Sequence, residues 1–253
     1  MYNDEYAASA AGAAAKVGLL KKNPLGYFLM SALAGAYIGF GILLSFTVSG
    51  TLGAIPMTKI VMGLSFGIAL SLVVIAGAEL FTGNAFVLYN GWRSKTVTLT
   101  DVVRLWVVCY LGNWFGAIVL SLIFYGAAGT AGGTGQALAN AAAMKMSLPP
   151  LVLFLKGILC NVLVCLAVWC GFRCKSDSGK LIMVFWCLYA FFTCGFEHSV
   201  ANMTVLTLGL LNPAGTAVSV GGYLYNLFMV TLGNIVGAVL FLSIPYGIAA
   251  KKD

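Results

Sequence analysis

Gly195-Phe196-Glu197-His198-Ser199-Val200-Ala201-Asn202-Met203 lies inside an otherwise apolar run, residues 181–211. That run is longer than one straight bilayer crossing requires, and near its middle it holds a carboxylate, the chain's single histidine and an asparagine. An ionisable group in hydrocarbon costs at least about 2.5–3.5 kcal/mol on insertion scales, so such a cluster is a functional candidate by default. A second stretch has the same layout. Gly77-Ala78-Glu79 interrupts the apolar run 60–88, and Asn84 follows its Glu at the same distance that separates Asn202 from Glu197.

The match extends outward on both sides. Leu111-Gly112-Asn113-Trp114-Phe115-Gly116-Ala117 is paralleled by Leu232-Gly233-Asn234-Ile235-Val236-Gly237-Ala238, and Leu33-Ala34-Gly35 falls in step with Leu155-Lys156-Gly157. The offsets are 118 (Glu79 to Glu197), 121 (Asn113 to Asn234) and 122 (Gly35 to Gly157), which describe one internal repeat. Apolar runs at 25–48, 60–88, 102–126, 151–172, 181–211 and 223–250 give three per repeat, so the halves enter the membrane in opposite senses. Inverted repeats place a solute path at their interface, with interrupted helices in corresponding positions forming the site. The expected fold is an all-α membrane protein of six transmembrane helices. It is an inverted three-plus-three repeat in which spans two and five are interrupted.

Composition agrees. Hydrophobic residues make up 61% of the chain and charged residues 8%, with a mean hydropathy of +0.98. A soluble domain carries roughly a quarter of its residues charged, so this chain has no side chains with which to cover a water-facing surface. Residues 1–24 read as a cytoplasmic amphipathic segment, 25–250 as the transmembrane domain (repeats about 25–126 and 151–250), and 251–253 as a cytoplasmic C-terminus. With both termini inside, eleven of the fourteen Lys and Arg face the cytoplasm, as the positive-inside rule requires. The +7 net charge then belongs to loops facing anionic lipid, and no nucleic-acid partner is implied.

Four ionisable residues fall within spans: Glu79, Lys156, Glu197 and His198, with Thr82, Asn84, Asn161, Ser199 and Asn202 around them. His198 is the side chain expected to exchange a proton near neutral pH, either supplying positive charge or neutralising a permeating anion. Glu79 and Glu197 are expected to accept hydrogen bonds from backbone N–H groups freed where the spans break, with Asn84, Asn202 and Asn161 as further polar support. Lys156 either attracts anions or snorkels to headgroups, and Lys145 reads as a loop lysine facing the same choice. Gly112/Gly116 and Gly233/Gly237 read as close helix-packing faces, with Asn113 and Asn234 tying helices together or holding broken backbone. An enzyme is not expected, because Glu197-His198-Ser199-Val200-Ala201 is not a zincin motif and there is no second histidine. The seven cysteines show no metal-ligand spacing, and no metal or other cofactor is expected.

Residues 195–203 resemble the signature of the formate/nitrite transporter family. Ala78-Glu79-Leu80-Phe81-Thr82-Gly83, Leu159-Cys160-Asn161-Val162-Leu163-Val164-Cys165-Leu166-Ala167-Val168-Trp169 and Gly233-Asn234 are similar to its other characteristic stretches. The resemblance covers essentially the whole chain. It implies an aquaporin-like homopentamer in the bacterial cytoplasmic (inner) membrane, one pore per subunit, passing formate, nitrite or hydrosulfide. His198 would be the pore-centre histidine and Thr82 its companion. Phe66, Leu70, Leu80, Phe81 and Phe191 would line two apolar constrictions, with residues 66–70 the interrupted part of span two. Lys145 would be the outer-vestibule lysine, whereas Lys156 has no counterpart there. Taken as a whole the chain looks closest to the hydrosulfide branch. The alternative class is a channel for small neutral solutes, because an apolar constriction excludes ions that are not neutralised.

Overall fold

The structure, a computed structural model, describes residues 2–250; the expected tail at 251–253, including Lys251 and Lys252, lies outside the described residues. The first half contains α1 (Asn3–Lys22), α2 (Pro24–Leu52), α3 (Thr58–Phe66), α4 (Ile68–Ala76), α5 (Phe81–Arg93) and α6 (Leu99–Gly126). The second contains α7 (Gly132–Ser147), α8 (Pro150–Arg173), α9 (Asp177–Cys194), α10 (Ser199–Leu211), α11 (Val220–Ala238), a π-helical turn (Val239–Ser243) and α12 (Ile244–Ala249). Among the described residues six segments are long and apolar enough to cross a membrane: α2, α3 with α4, α6, α8, α9, and α11 through α12.

Local chemistry sets the boundaries. Asn23 starts α2, its side chain accepting from Gly26 N at 2.8 Å with Pro24 in the first turn, where a missing N–H costs nothing. Thr98 and Asp101 form a reciprocal capping box at the start of α6. Gly77 (φ 77°) ends α4 and Gly195 (φ 73°) ends α9, and both adopt a backbone that L side chains rarely take. These two glycines break spans two and five. Residues 66–70, expected to be the interrupted part, hold a further interruption: α3 ends at Phe66 and α4 begins at Ile68, with a right-handed Gly67 between them.

Each half is tied by one glycine-mediated helix pair. In α2 against α6, a Cβ added at Gly35 would collide with the backbone of Asn113, and one at Gly116 with that of Ala32. In α8 against α11, a Cβ at Gly157 would come within 2.8 Å of Val230 O, and one at Gly237 would meet the backbone of Ile158. Small residues let these backbones touch where apolar burial cannot distinguish lipid from protein.

Two helices were not visible as spans. α1 packs on α5 and α7 on α10, so each repeat begins one helix earlier than its first crossing. The face α1 buries carries Tyr6, Ala10, Ala13, Val17 and Leu20 at helical spacing. Residues 132–147, rich in Gly and Ala, read from sequence as a connecting loop; they form α7, and Lys145 occupies its last turn.

Candidate functional site

The half-helices α5 and α10 start at the centre of the bundle and run outward in opposite directions. Their N-caps have nearly the same backbone, Leu80 at φ −101°, ψ 123° and His198 at φ −111°, ψ 115°. Helix N-termini buried in a membrane need acceptors for their free N–H groups. Two asparagines provide them. Asn113 Oδ1 accepts from Phe81 N at 2.9 Å, while its amide donates to Ser31 O and Glu79 O. Asn234 Oδ1 accepts from Ser199 N at 2.9 Å, while its amide donates to Gly157 O and Glu197 O. The breaks are also held by Glu79 N donating to Met30 O and Glu197 N to Lys156 O, both at 3.2 Å.

The two carboxylates therefore do something other than expected. Neither is recorded accepting a backbone N–H, and each forms an ion pair instead. Glu79 is bound by Lys16 Nζ at 2.7 Å to both oxygens, and takes further bonds from Tyr27 Oη and Asn84 Nδ2. Glu197 is bound by Lys145 Nζ at 2.8 and 2.9 Å, and by Asn202 Nδ2 at 2.6 Å. A buried charge needs a counter-charge more than it needs a neutral amide, whereas a neutral Asn caps backbone without that cost. Lys16 is the residue sequence reading missed. Its signal was a lone lysine one residue before Val17 on the buried face of α1.

Three spaces lie in line. A vestibule of about 770 Å³ on the α7 side is lined by Lys59, Lys145, Lys156, Gln136, Asn140, Phe191, Glu197, His198 and Asn202, among others. A second, of about 390 Å³ on the α1 side, includes Lys16, Leu70, Glu79, Leu80, Asn84 and Lys180. Between them is a neck with no room for a water molecule, formed by Ile38, Phe66, Leu70, Leu80, Val164, Leu188, Phe191 and His198. Leu70 and Leu80 face the neck and the α1-side vestibule; Phe191 and His198 face the neck and the α7-side vestibule. Phe81 does not belong to this set. Its ring packs edge-on against Tyr110 at 4.9 Å and Trp106 at 6.3 Å, both on α6.

His198 is 2% exposed and its ring lies over Phe191. Its Nδ1 accepts from Ala201 N at 3.1 Å, capping α10, and its Nε2 is 2.9 Å from Thr82 Oγ1. An Nδ1 that accepts carries no hydrogen, so this pattern assigns the ring proton to Nε2, with Nε2–H donating to the Thr82 hydroxyl. Protonating Nδ1 would turn it against the Ala201 N–H and open the cap. The arrangement thus holds the imidazole neutral at the edge of the dry neck, with its Nε2–H resting on the buried Thr82 hydroxyl. Asn161, wholly buried, ties Thr82 to the asparagine that caps the other break: its amide donates to Thr82 O at 3.2 Å and to Asn234 O at 2.7 Å.

Two aqueous vestibules separated by an apolar neck, built on an inverted helical repeat with broken spans, define a membrane channel or transporter for a small solute. The model of the formate/nitrite transporter family matches residues 4–248, and the chain belongs to that family. It is 39% identical to the nitrite transporter NirC of Salmonella typhimurium, over 100% of this chain and 94% of that one. It is 30% identical to the formate channel FocA of Haemophilus influenzae, over 88% and 86%. Among solved structures, an FNT family ion channel superposes with a TM-score of 0.93 at 39% identity, covering 98% of this chain and 99% of that chain. A pentameric formate channel with formate bound superposes at 0.82 and 31%, covering 92% and 99%.

Proposed function

We propose that the chain is a channel for small monovalent anions that cross the neck as their neutral acids. The observation that carries this reading is the pairing of His198 Nε2 with Thr82 Oγ1, 2.9 Å apart, at the edge of a neck too dry for water. Moving a carboxylate-sized ion into a low-dielectric medium costs about 20 kcal/mol by the idealised Born estimate, and still several kcal/mol after relaxation. Protonating an acid of pKa near 4 at pH 7 costs only about 4 kcal/mol, at 1.36 kcal/mol per pH unit. Protonation is therefore the cheaper route. The proton comes from vestibule water as the anion sheds its hydration, and the neutral His198 and Thr82 hydrogen-bond the solute in transit. Lys145, held by Glu197, and Lys156 draw the anion into the α7-side vestibule; Lys16, held by Glu79, stands in the corresponding place on the α1 side.

The substrate class is anions with an accessible neutral acid: nitrite, formate and hydrosulfide. The greater likeness to a nitrite transporter than to a formate channel supports nitrite first. Hydrosulfide fits the same mechanism as the strongest base of the three. The charge asymmetry of the loops supports a bacterial inner-membrane location with α1 and both termini cytoplasmic and α7 outside. Likeness to a pentameric channel supports a homopentamer with one pore per subunit. Flux of nitrite, formate and hydrosulfide into proteoliposomes, alongside glycerol and water, tests the reading. Anion uptake accompanied by proton uptake is expected, and glycerol flux without anion flux would sink it in favour of a neutral-solute channel.

A further inference from the structure

Three lysines line the α7-side vestibule, and only one of them is neutralised. Lys145 is held by both oxygens of Glu197. Among the described residues Glu197 is also the only carboxylate lining that space, and it is taken by Lys145. Among the described residues neither Lys59 nor Lys156 takes part in a salt bridge. Both border the same short break in span five. The Lys59 ammonium lies 3.5 Å from where a Cβ on Gly195 would stand, which places it in van der Waals reach of the break. Lys156 is anchored at the break through its carbonyl, which accepts from Glu197 N at 3.2 Å. The vestibule that reaches His198 is thus lined by two lysines outside any salt bridge, carried by different helices, α3 and α8.

We propose that Lys59 and Lys156 form a separate oxyanion subsite in the outer vestibule, one that takes a divalent oxyanion such as sulfate and is blocked to its onward passage. With Glu197 already taken by Lys145, two positive charges remain in this space, and they match a dianion better than a monoanion. Beyond this subsite the neck admits only neutral species, and a dianion would need two protons to become one. A monoanion needs a single proton and moves on. The subsite thus captures permeant monoanions, and a dianion occupying it competes with them from that face. This inference rests on the reading of the pore as an anion path.

Sulfate binding to the purified, detergent-solubilised protein is measured by isothermal titration calorimetry at constant ionic strength, since salt screens exposed charges within about 8 Å at 0.15 M. Removing both charges in a K59Q/K156Q variant is expected to weaken sulfate roughly tenfold, the effect of losing two near-aqueous Coulomb contacts. A K59R/K156R variant should retain it. In proteoliposomes, external sulfate should raise the half-saturating concentration of nitrite without lowering the maximal rate, and K59Q/K156Q should lose that effect. Sulfate binding that is indifferent to both lysines, or sulfate that is itself carried, overturns the subsite while leaving the anion channel standing. Lysine-dependent sulfate binding in a protein that carries no anion would uphold the subsite and overturn the channel reading instead.

Discussion

Replacing His198 by Asn separates a neutral hydrogen-bonding histidine from a titrating one. Asparagine is a good N-cap, so its Oδ1 can take over the Ala201 N–H that Nδ1 now accepts at 3.1 Å, and α10 should keep its start. The shorter side chain does not reach Thr82, so the 2.9 Å contact at Nε2 is lost. A hydrogen bond of this kind contributes a net of about 0.5–1.5 kcal/mol, which predicts a two- to tenfold lower flux. The pH profile is the sharper readout. If the anion crosses as its acid, flux at fixed total formate rises about tenfold for each unit of pH removed, following the acid's own protonation. That slope should be the same in wild type and H198N. An essential imidazolium would behave differently: flux would rise as pH falls towards about 6.5, the ordinary histidine value, with an inflection there that H198N lacks. Stopped-flow formate uptake into liposomes, with internal pH followed by a dye, measures both quantities between pH 5.5 and 7.5 (about one unit either side of that value). An inflection near the histidine value in wild type that is absent from H198N would refute the neutral assignment.

Leu80→Ala removes one wall of the neck on its α1 side, where Leu70 and Leu80 meet the vestibule. The space should wet, and chloride, which has no weak acid to cross as, should begin to leak; liposomes that stay chloride-tight would place the seal elsewhere. Phe81→Ala acts on packing alone, because the ring is 3% exposed and faces Tyr110 and Trp106. A loss of about 3–5 kcal/mol of stability is expected for a buried Phe→Ala change, read as a lower unfolding midpoint. The ratio of nitrite to formate to glycerol flux in the surviving protein should stay as in wild type, and a shift in that ratio would put Phe81 back at the neck.

Periodicity and repetition made the scaffold readable. Glu79 and Glu197, Asn84 and Asn202, and the glycines that precede the two carboxylates repeat at one offset, and the structure places them at equivalent breaks. What sequence did not reveal is the partner of each group. A carboxylate beside a broken helix looks like an acceptor for backbone N–H, yet the acceptors are Asn113 and Asn234, tens of residues away on the neighbouring spans. The carboxylates' lysines come from α1 and α7, whose Ala- and Gly-rich sequences carry too little hydrophobic contrast to announce a buried helix. Phe81 was misplaced for a related reason. Leu80 is still extended where Phe81 begins the helix, and successive side chains at such a junction point different ways, so a stretch that resembles a constriction motif holds one residue that lines the neck and one that does not.

The repeat also bears on why the neck itself has a polar residue at one end only. Leu80 and His198 occupy equivalent N-caps with nearly equal backbone angles, so the scaffold treats them alike and only the side chain differs. Histidine at both caps would set polar groups against both ends of the neck, and a cavity with several polar partners holds water. Leucine at both would leave the Ala201 N–H without its cap and the solute without a donor. One of each keeps the space between Leu70, Leu80 and Phe191 dry, while His198, backed by Thr82, stands at its α7-side edge. In the mechanism proposed above, a dry neck is what makes an anion take a proton, and a fixed neutral imidazole is what receives the resulting acid. A symmetric pair of caps could supply only one of these properties, which is why the inverted repeat, so closely kept in its asparagines, glycines and ion pairs, departs from itself at this position.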